Sequence, residues 1–468
     1  MFFKQPIKKL FSQLNKYYTL NFSFIQYTQP GWKFNILPKA NIFSACLYHP
    51  TILPLPNNIQ LAIDERYQTE AAKNADIAYR AFNMGCLVKA TQQQHSSTNA
   101  LGKPSIKDEY IFVRKYWGST WATFSLVRRL LAFNNPFVEL KAYLATKQIT
   151  KFPLHAHPLD YSSYHTYQSS LIQQQPLVSV IIPTLNRYVY LKDVLADLEK
   201  QNYTNFDVIV VDQSDPFDEN FYKQFNLKLN VIHQKEKLLW TARNRAVKAS
   251  KADYFLFFDD DSRVEPDWIE HHIKTLDFFN ADISAGVSLA VIGGKVPDSY
   301  NFFRWADQFD SGNALVKKSV FQKIGLFDLQ FNKQSMGDGE FGTRAYINGL
   351  SSISNPYAKR IHLKVSDGGL REIGHWDGFR PKKLFAPKPI PSVVYLFKKY
   401  YPKKLYRNAI ILGIMLSNVS YKKKRANNMM ATSVLLTIFK SPLLAIQFYR
   451  SLKRANAMLQ EGAKIEQL

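Results

Sequence analysis

The sequence predicts an α/β layered domain on a mainly parallel central sheet, with an N-terminal accessory region and a basic, helical C-terminal tail. Three observations predict it: short β-branched apolar runs, helical repeats between them, and acids that recur where the runs stop. The first run, Leu177–Pro183, is broken only by Ser179 and suits a strand covered on both faces. Val189, Leu191, Val194, Leu195 and Leu198 then recur at helical spacing within Val189–Lys200. Phe206–Asp212 reads as a second strand, Leu227–His233 as a third, and Trp240–Ser250 as a helix. Tyr254–Phe258 is a further buried strand and runs into Asp259, Asp260 and Asp261. Ligands of parallel sheets sit beyond the carboxyl ends of the strands. Thr184–Arg187, Asp212–Asp215 and Asp259–Asp261 are therefore expected to meet at one site.

Composition bounds the remainder. The 468 residues are 46% hydrophobic and 21% charged, which excludes wholesale disorder and fits about three units. No uninterrupted apolar run reaches the ~18 residues of a conventional membrane span. Cys46 and Cys86 are too few for a disulfide framework or a Cys-rich zinc site. The basic, aromatic start lacks the apolar core of a secretory signal, so a cytosol-facing location is expected. The net charge is +24, and its placement is informative. Gly378–Gln460 holds 17 Lys and Arg and no Asp or Glu, leaving 44 basic against 37 acidic residues elsewhere. The excess therefore marks the tail, and implies an anionic partner.

Three zones follow, with boundaries at 1–175, 176–377 and 378–468. The first contains turn residues (Pro54, Pro56, Asn57, Asn58), a helix near Thr69–Met84 and a polar stretch, YSSYHTYQSSLIQQQP, expected to be a linker. Its only metal-like feature, His155 and His157, is a lone H-x-H and reads as ordinary histidines. The last zone begins with a Pro-rich arm, PKKLFAPKPIP. Helical stretches Ala409–Val419 and Met429–Phe439 follow, separated by Tyr421–Arg425; Lys440 and Pro442 interrupt before Leu443–Tyr449 resumes. Too short to span a bilayer, these pieces suit helices lying in an anionic membrane interface, or else amphipathic helices packed on the domain.

Three adjacent carboxylates at a buried strand's end repel one another unless a cation or hydrogen bonds compensate. On an extended backbone Asp259 and Asp261 share one face and Asp260 takes the other. Two oxygens of like orientation suit Mn2+ or Mg2+. The same acids could instead turn the chain and cap the helix beginning near Pro266.

The surrounding motifs favour the metal. SVIIPTLNR (179–187), VIVVDQSD (208–215), LLWTARNRAVKAS (238–250) and YFLFFDDDSRVEPDWI (254–269) stand in order, followed by SGNALVKKSVFQKIGLFD (311–328) and MGDGEFGTRAYINGL (336–350). Together they resemble family 2 glycosyltransferases of the GT-A fold, over about residues 176–375. The resemblance implies inverting, metal-dependent transfer of a sugar from a nucleotide diphosphate sugar, a UDP-sugar foremost, to a hydroxyl of a glycan or lipid-linked acceptor. It implies a donor site formed by Pro183, Thr184, Arg187, Asp212, Gln213, Arg243 and Asp260, and metal ligation by Asp259, Asp261 and His362. Gln213 stands where the family usually has a second acid, and its amide can still pair with a pyrimidine edge. Asp338 aligns with the family's general base, although the acid normally preceding it is Gly337; Glu340 is the alternative base, and Asp338 could also cap a helix. Trp305, Glu340 and Trp376 are candidate acceptor contacts, Trp376 on a Gly-hinged loop, DGGLREIGHWDGFRP. The expected setting is the cytoplasmic face of the cell membrane, in cell-surface polysaccharide synthesis. The competing readings are a membrane-docked scaffold with a dead transferase domain, motivated by Gly337 and Gln213, and a basic nucleic-acid-binding protein. The second leaves the acids without purpose, so no nucleic-acid partner is expected. A sugar nucleotidyltransferase would need a Gly-rich phosphate loop with Lys after the first strand, which is missing here.

Overall fold

The computed structural model describes residues 22–44, 59–99, 102–290, 296–365, 370, 378–381, 383–419 and 429–468. The chain divides into two compact units, 158–375 with 462–468, and 1–157 with 376–461.

A nine-stranded sheet organises the first of these. Its strands are β1 (Val178–Thr184), β2 (Phe206–Asp212), β3 (Leu229–His233), β4 (Tyr254–Phe258), β5 (Ser262–Val264), β6 (Ile283–Ala290), β7 (Arg304–Trp305), β8 (Asn313–Lys317) and β9 (Ser352–His362). The spatial order is β3-β2-β1-β4-β8-β6-β9-β5, with β7 beside β9. The first four run parallel, as their apolar runs predict: all seven residues of β1 are buried. Helices Tyr188–Leu198, Leu239–Ala249 and Trp268–Phe278 cover the layer, within two residues of the expected bounds for the first two. Thr184 pairs with Asp212, and Asp212 with His233, so these strands end at a common edge.

The other half places further residues on that edge. Strand β8 runs antiparallel to β4, with Asn313 opposite Phe258, so the segment entering β8 meets the acids leaving β4. Strand β9 runs parallel to β6 and finishes with His362 opposite Ser262. Asn313 ties the layers together. Its Oδ1 accepts the Trp268 indole N–H (2.9 Å) and faces His272 Nε2 (3.1 Å), while its amide donates to the carbonyls of Val287 (3.1 Å) and Ala358 (3.0 Å). Gly286 makes this possible, because a Cβ there would strike the Asn313 amide and the Ala358 carbonyl.

Two segments differ from expectation. The stretch expected as a linker belongs to the sheet-containing unit. Its short helices Ser163–Thr166 and Ser170–Gln174 are too brief to show a periodicity, but Tyr164 is buried against the helix Trp268–Phe278 and donates to the His271 carbonyl (3.2 Å). Ser169 Oγ and the Leu171 N–H also both donate to Asp277 Oδ2 (2.7 and 3.1 Å). The final seven residues return to the same unit as a strap. Leu326 N–H donates to the Glu466 carbonyl (2.8 Å), Leu329 N–H to Lys464 O (3.1 Å), and Lys464 N–H to Asp328 Oδ1 (3.0 Å).

The second unit is helical and aromatic, and unites the N-terminal zone with most of the tail, which the sequence reading had separated. Helix Glu70–Asn83 is capped by Thr69, and helix Ile106–Trp117 opens on a capping box of Ser105 and Asp108. Buried Lys115 joins Asp64 (2.7 Å) and Asp76 (2.8 Å). From the tail, helix Pro391–Tyr400 packs on Ser441–Glu461, and helix Lys403–Ser417 on Ile25–Thr28 and Met429–Phe439. Leu405, Ile410 and Met415 are buried, so helix Lys403–Ser417, which covers most of the expected stretch Ala409–Val419, fits the alternative of a packed amphipathic helix; Val393 and Val394 are buried on helix Pro391–Tyr400, where the sequence suggested no helix. The interruption expected at Lys440 and Pro442 is present: helix Met429–Phe439 stops before Lys440, and Pro442 occupies the first turn of Ser441–Glu461, where its missing N–H is not needed. Tyr421–Arg425 lie outside the described residues. Among the described residues no single helix is long and apolar enough to cross a membrane; Met430–Phe439 and Ser441–Glu461 meet that test only together, bent by 83°.

Asn313→Leu leaves two buried carbonyls and an indole N–H unpaired, which should cost about 3 kcal/mol. Thermal unfolding should show a midpoint lower by several degrees; an unchanged midpoint would remove Asn313 from this role.

Candidate active site

The acids after β4 divide, although Asp260 and Asp261 stand in a turn and not in the extended strand the alternation assumed, and both contact Arg187. Asp260, buried, accepts from Thr184 Oγ1 (2.8 Å) and Arg187 Nη1 (2.9 Å). Burial, opposed by Arg187 and reinforced by Asp261, pushes its pKa up to about 6. Asp259 turns the other way, between Arg243 Nη2 (3.0 Å) and Arg360 Nη1 (2.7 Å). Asp261 places Oδ1 3.2 Å from His362 Nε2 and Oδ2 3.3 Å from Arg187. One ligand atom each from Asp259, Asp261 and His362 lie within 4.8 Å of one another. This donor set of hard carboxylate oxygens and one imidazole nitrogen fits Mn2+ or Mg2+. Asp259 is already held by two guanidiniums, so Asp261 and His362 are its more available members.

Arg360 was not anticipated. Fully buried, it bridges Asp259 and Asp310 (3.0 Å) and also donates to Ser288 Oγ (2.7 Å) and Ser262 Oγ (3.0 Å). These two carboxylates hold its pKa above the ordinary arginine value despite burial. The available signal was its position two residues before His362, which puts both on one face of a strand. Gly312 permits the Asp259–Arg360 pair, since a Cβ there would meet both groups.

The side chains expected to line the nucleoside are turned inward. Pro183 and Thr184 end β1 as predicted. Asp212 is fully buried and already takes three donors: the Ser214 N–H (2.8 Å) and the hydroxyls of Tyr188 and Tyr222 (2.7 Å each). Gln213 Oε1 accepts from the Leu238 N–H (2.6 Å) and Gln234 Nε2 (3.1 Å). Both side chains are therefore engaged within the protein, where direct contact with the base had been expected. Tyr222 lies in a short 3-10 turn, Asn220–Gln224, that carries no periodic signal.

Asp338 sits at the start of helix Gly337–Ile347 and is half-buried. Its Oδ1 accepts from the Ser311 N–H (3.1 Å) and, more closely, from the Ser311 hydroxyl. Among the described residues nothing donates to its Oδ2. The Ser311 carbonyl accepts from Arg243 Nη2 (2.9 Å), so a continuous path runs Asp259–Arg243–Ser311–Asp338. Glu340 is not brought to the site. It is buried in a two-point pair with Arg344 (3.0 Å at each oxygen), whose guanidinium also donates to the carbonyls of Gly325 and Leu326. Trp305 is also buried, on β7, and presents no face to a sugar. Trp376 lies outside the described residues.

Gly337 has a physical explanation as well. The Trp240 indole, buried, fills the space where a Cβ at 337 would stand. A glycine here therefore follows from the tryptophan on the neighbouring helix.

Residues 179–334 match the family model "Glycosyl transferase family 2". Residues 179–334, within the sheet-containing unit, are therefore a family 2 glycosyltransferase domain. It is 27% identical over 215 residues to EpsH of Bacillus subtilis (strain 168), covering 41% of this chain and 62% of that one. It is 29% identical over 128 residues to the poly(ribitol-phosphate) beta-N-acetylglucosaminyltransferase TarS of Staphylococcus aureus (strain Mu50), covering 26% of this chain and 22% of that one. A crystal structure of S. aureus TarS residues 1–349 with UDP-GlcNAc aligns at TM-score 0.41 and 16% identity, over 61% of this chain and 92% of that one. The aligned region thus spans less than two thirds of either curated relative.

Gly337→Ala should lower the thermal midpoint by several degrees, as overpacking against Trp240 typically costs about 1–3 kcal/mol. Combined with Trp240→Leu, the two losses should be clearly less than additive in a double-mutant cycle. Full additivity would show that the two positions do not compete for the same space.

Proposed function

We propose that the chain is an inverting, metal-dependent glycosyltransferase that moves a sugar from a nucleotide diphosphate sugar, a UDP-sugar foremost, to a hydroxyl of a glycan or lipid-linked acceptor. Cell-surface polysaccharide synthesis at the cytoplasmic face of the cell membrane is the proposed setting. The observation that carries the reading is the meeting of Asp259, Asp261 and His362 on one sheet edge, linked through Arg243 and Ser311 to Asp338. TarS, by name a transferase acting on a polymer, supports a polymeric acceptor.

A divalent ion held by Asp261 and His362, with Asp259 in support, would offset charge on the departing diphosphate. Arg187, already beside Asp260 and Asp261, adds fixed positive charge at the same edge. Asp338 supplies the base. With Oδ1 fixed by Ser311, Oδ2 can take the acceptor's hydroxyl proton as that oxygen attacks the anomeric carbon. The bond from that carbon to the diphosphate breaks on the opposite side. A single displacement of this kind inverts the anomeric centre, and Glu340, locked to Arg344, is not positioned to act as a second carboxylate. Association with an anionic membrane is supported by the cation-rich tail and by exposed Leu435, Ile438 and Phe439 on helix Met429–Phe439.

Asp338→Asn should reduce transfer by about three orders of magnitude or more while leaving UDP-induced thermal stabilisation within twofold. Retained turnover would place the base elsewhere. Mn2+ with UDP should raise the wild-type melting temperature more than UDP alone, and that increment should vanish in Asp261→Ala and His362→Ala. An increment that survives both substitutions would move the ion to other ligands.

A further inference from the structure

One cluster in the helical unit has no part in the chemistry above. Arg450, Lys453 and Arg454 on helix Ser441–Glu461, together with Lys383, Leu384 and Phe385, line an open cavity of about 850 Å3. The turn and the helix are fastened to each other. Gln447 Nε2 donates to the Leu384 carbonyl (2.6 Å), Arg450 Nη1 to the Phe385 carbonyl (2.7 Å), and Lys388 N–H to the Gln447 carbonyl (3.2 Å). The groove is thus a built feature of the unit.

Its chemistry is one-sided. Four cations line it, no carboxylate does, and Gly378–Gln460 contains no Asp or Glu that could neutralise them. Among the described residues none of the four forms an ion pair. Leu384 and Phe385 stand on the lip, adjacent to each other and 63% and 51% exposed. A nucleic-acid track would offer stacked aromatic faces along an extended path. Here a compact cationic hollow lies against two exposed apolar side chains. That pairing matches a phosphate headgroup joined to acyl chains.

We propose that this groove binds the phosphate of an anionic phospholipid headgroup, with Arg450, Lys453 and Arg454 on the phosphate and Leu384 and Phe385 at the acyl boundary. The proposal deepens the membrane association proposed above and rests on it, but the two fail separately.

The test uses the full chain in vesicle flotation, with phosphatidylglycerol–phosphatidylcholine vesicles against pure phosphatidylcholine. Wild type should float only with the anionic vesicles. R450A/K453A/R454A should partition on the order of a hundredfold more weakly. K453A/R454A, which keeps the Arg450–Phe385 hydrogen bond, should lose an intermediate amount at an unchanged melting temperature. F133S/F137S, which removes two exposed phenylalanines elsewhere in the helical unit, should float like wild type. If wild type floats and both groove variants float equally well, the groove is wrong and the membrane reading stands. If wild type floats with neither vesicle, both readings fall. Stabilisation of wild type, but not of the triple variant, by inorganic phosphate or by a single-stranded oligonucleotide, without flotation, would assign the groove to a free anion or to nucleic acid and overturn the lipid.

Discussion

The edge of the sheet is held together by guanidinium–carboxylate pairs in a place with little water. Four acids, Asp259, Asp260, Asp261 and Asp310, face three arginines, Arg187, Arg243 and Arg360. Removing one partner from such a buried lattice is costly, because the remaining charge keeps its desolvation penalty. The count also leaves one formal negative charge uncompensated. The corner where Asp261 meets His362 has the fewest donors and is where an added cation would lower the energy most.

Sheet topology explains how this lattice reaches the proposed base. Parallel strands β1 to β4 deliver the acids, but no parallel strand could bring Ser311 and Gly312 to the same edge from that side. Antiparallel β8 does so by starting where β4 stops. Ser311 then serves both directions, accepting from Arg243 through its carbonyl and donating to Asp338 through its N–H and hydroxyl. Asp338 is thus joined to the acids by three successive hydrogen-bonded steps, Asp259–Arg243, Arg243–Ser311 and Ser311–Asp338.

What could be read from the sequence follows the range of each interaction. The β1–β4 core was legible because buried strands and their intervening helices write local, periodic patterns. Asp259, Asp261, His362 and Asp338 were legible because their motifs stand in a fixed order, and the structure brings the first three together. Arg360 and Ser311 were not, because their roles depend on neighbours some 50 to 100 residues away along the chain. The inward turn of Asp212 depends on Tyr222, in a segment with no pattern of its own. In the tail, strand and helix signals gave no hint that apolar faces written as amphipathic would close against residues near the other end of the chain.

The strap of residues 462–468 has a consequence for how the molecule is assembled. During synthesis the strands of the sheet-containing unit are made well before the strap, so Leu326, Leu329 and Asp328 wait for Lys464 and Glu466, more than a hundred residues later, for these partners. The helical unit has the same dependence in reverse, because its core draws on segments separated by the entire catalytic domain. A fragment cut at the apparent domain border would thus lose part of both bodies.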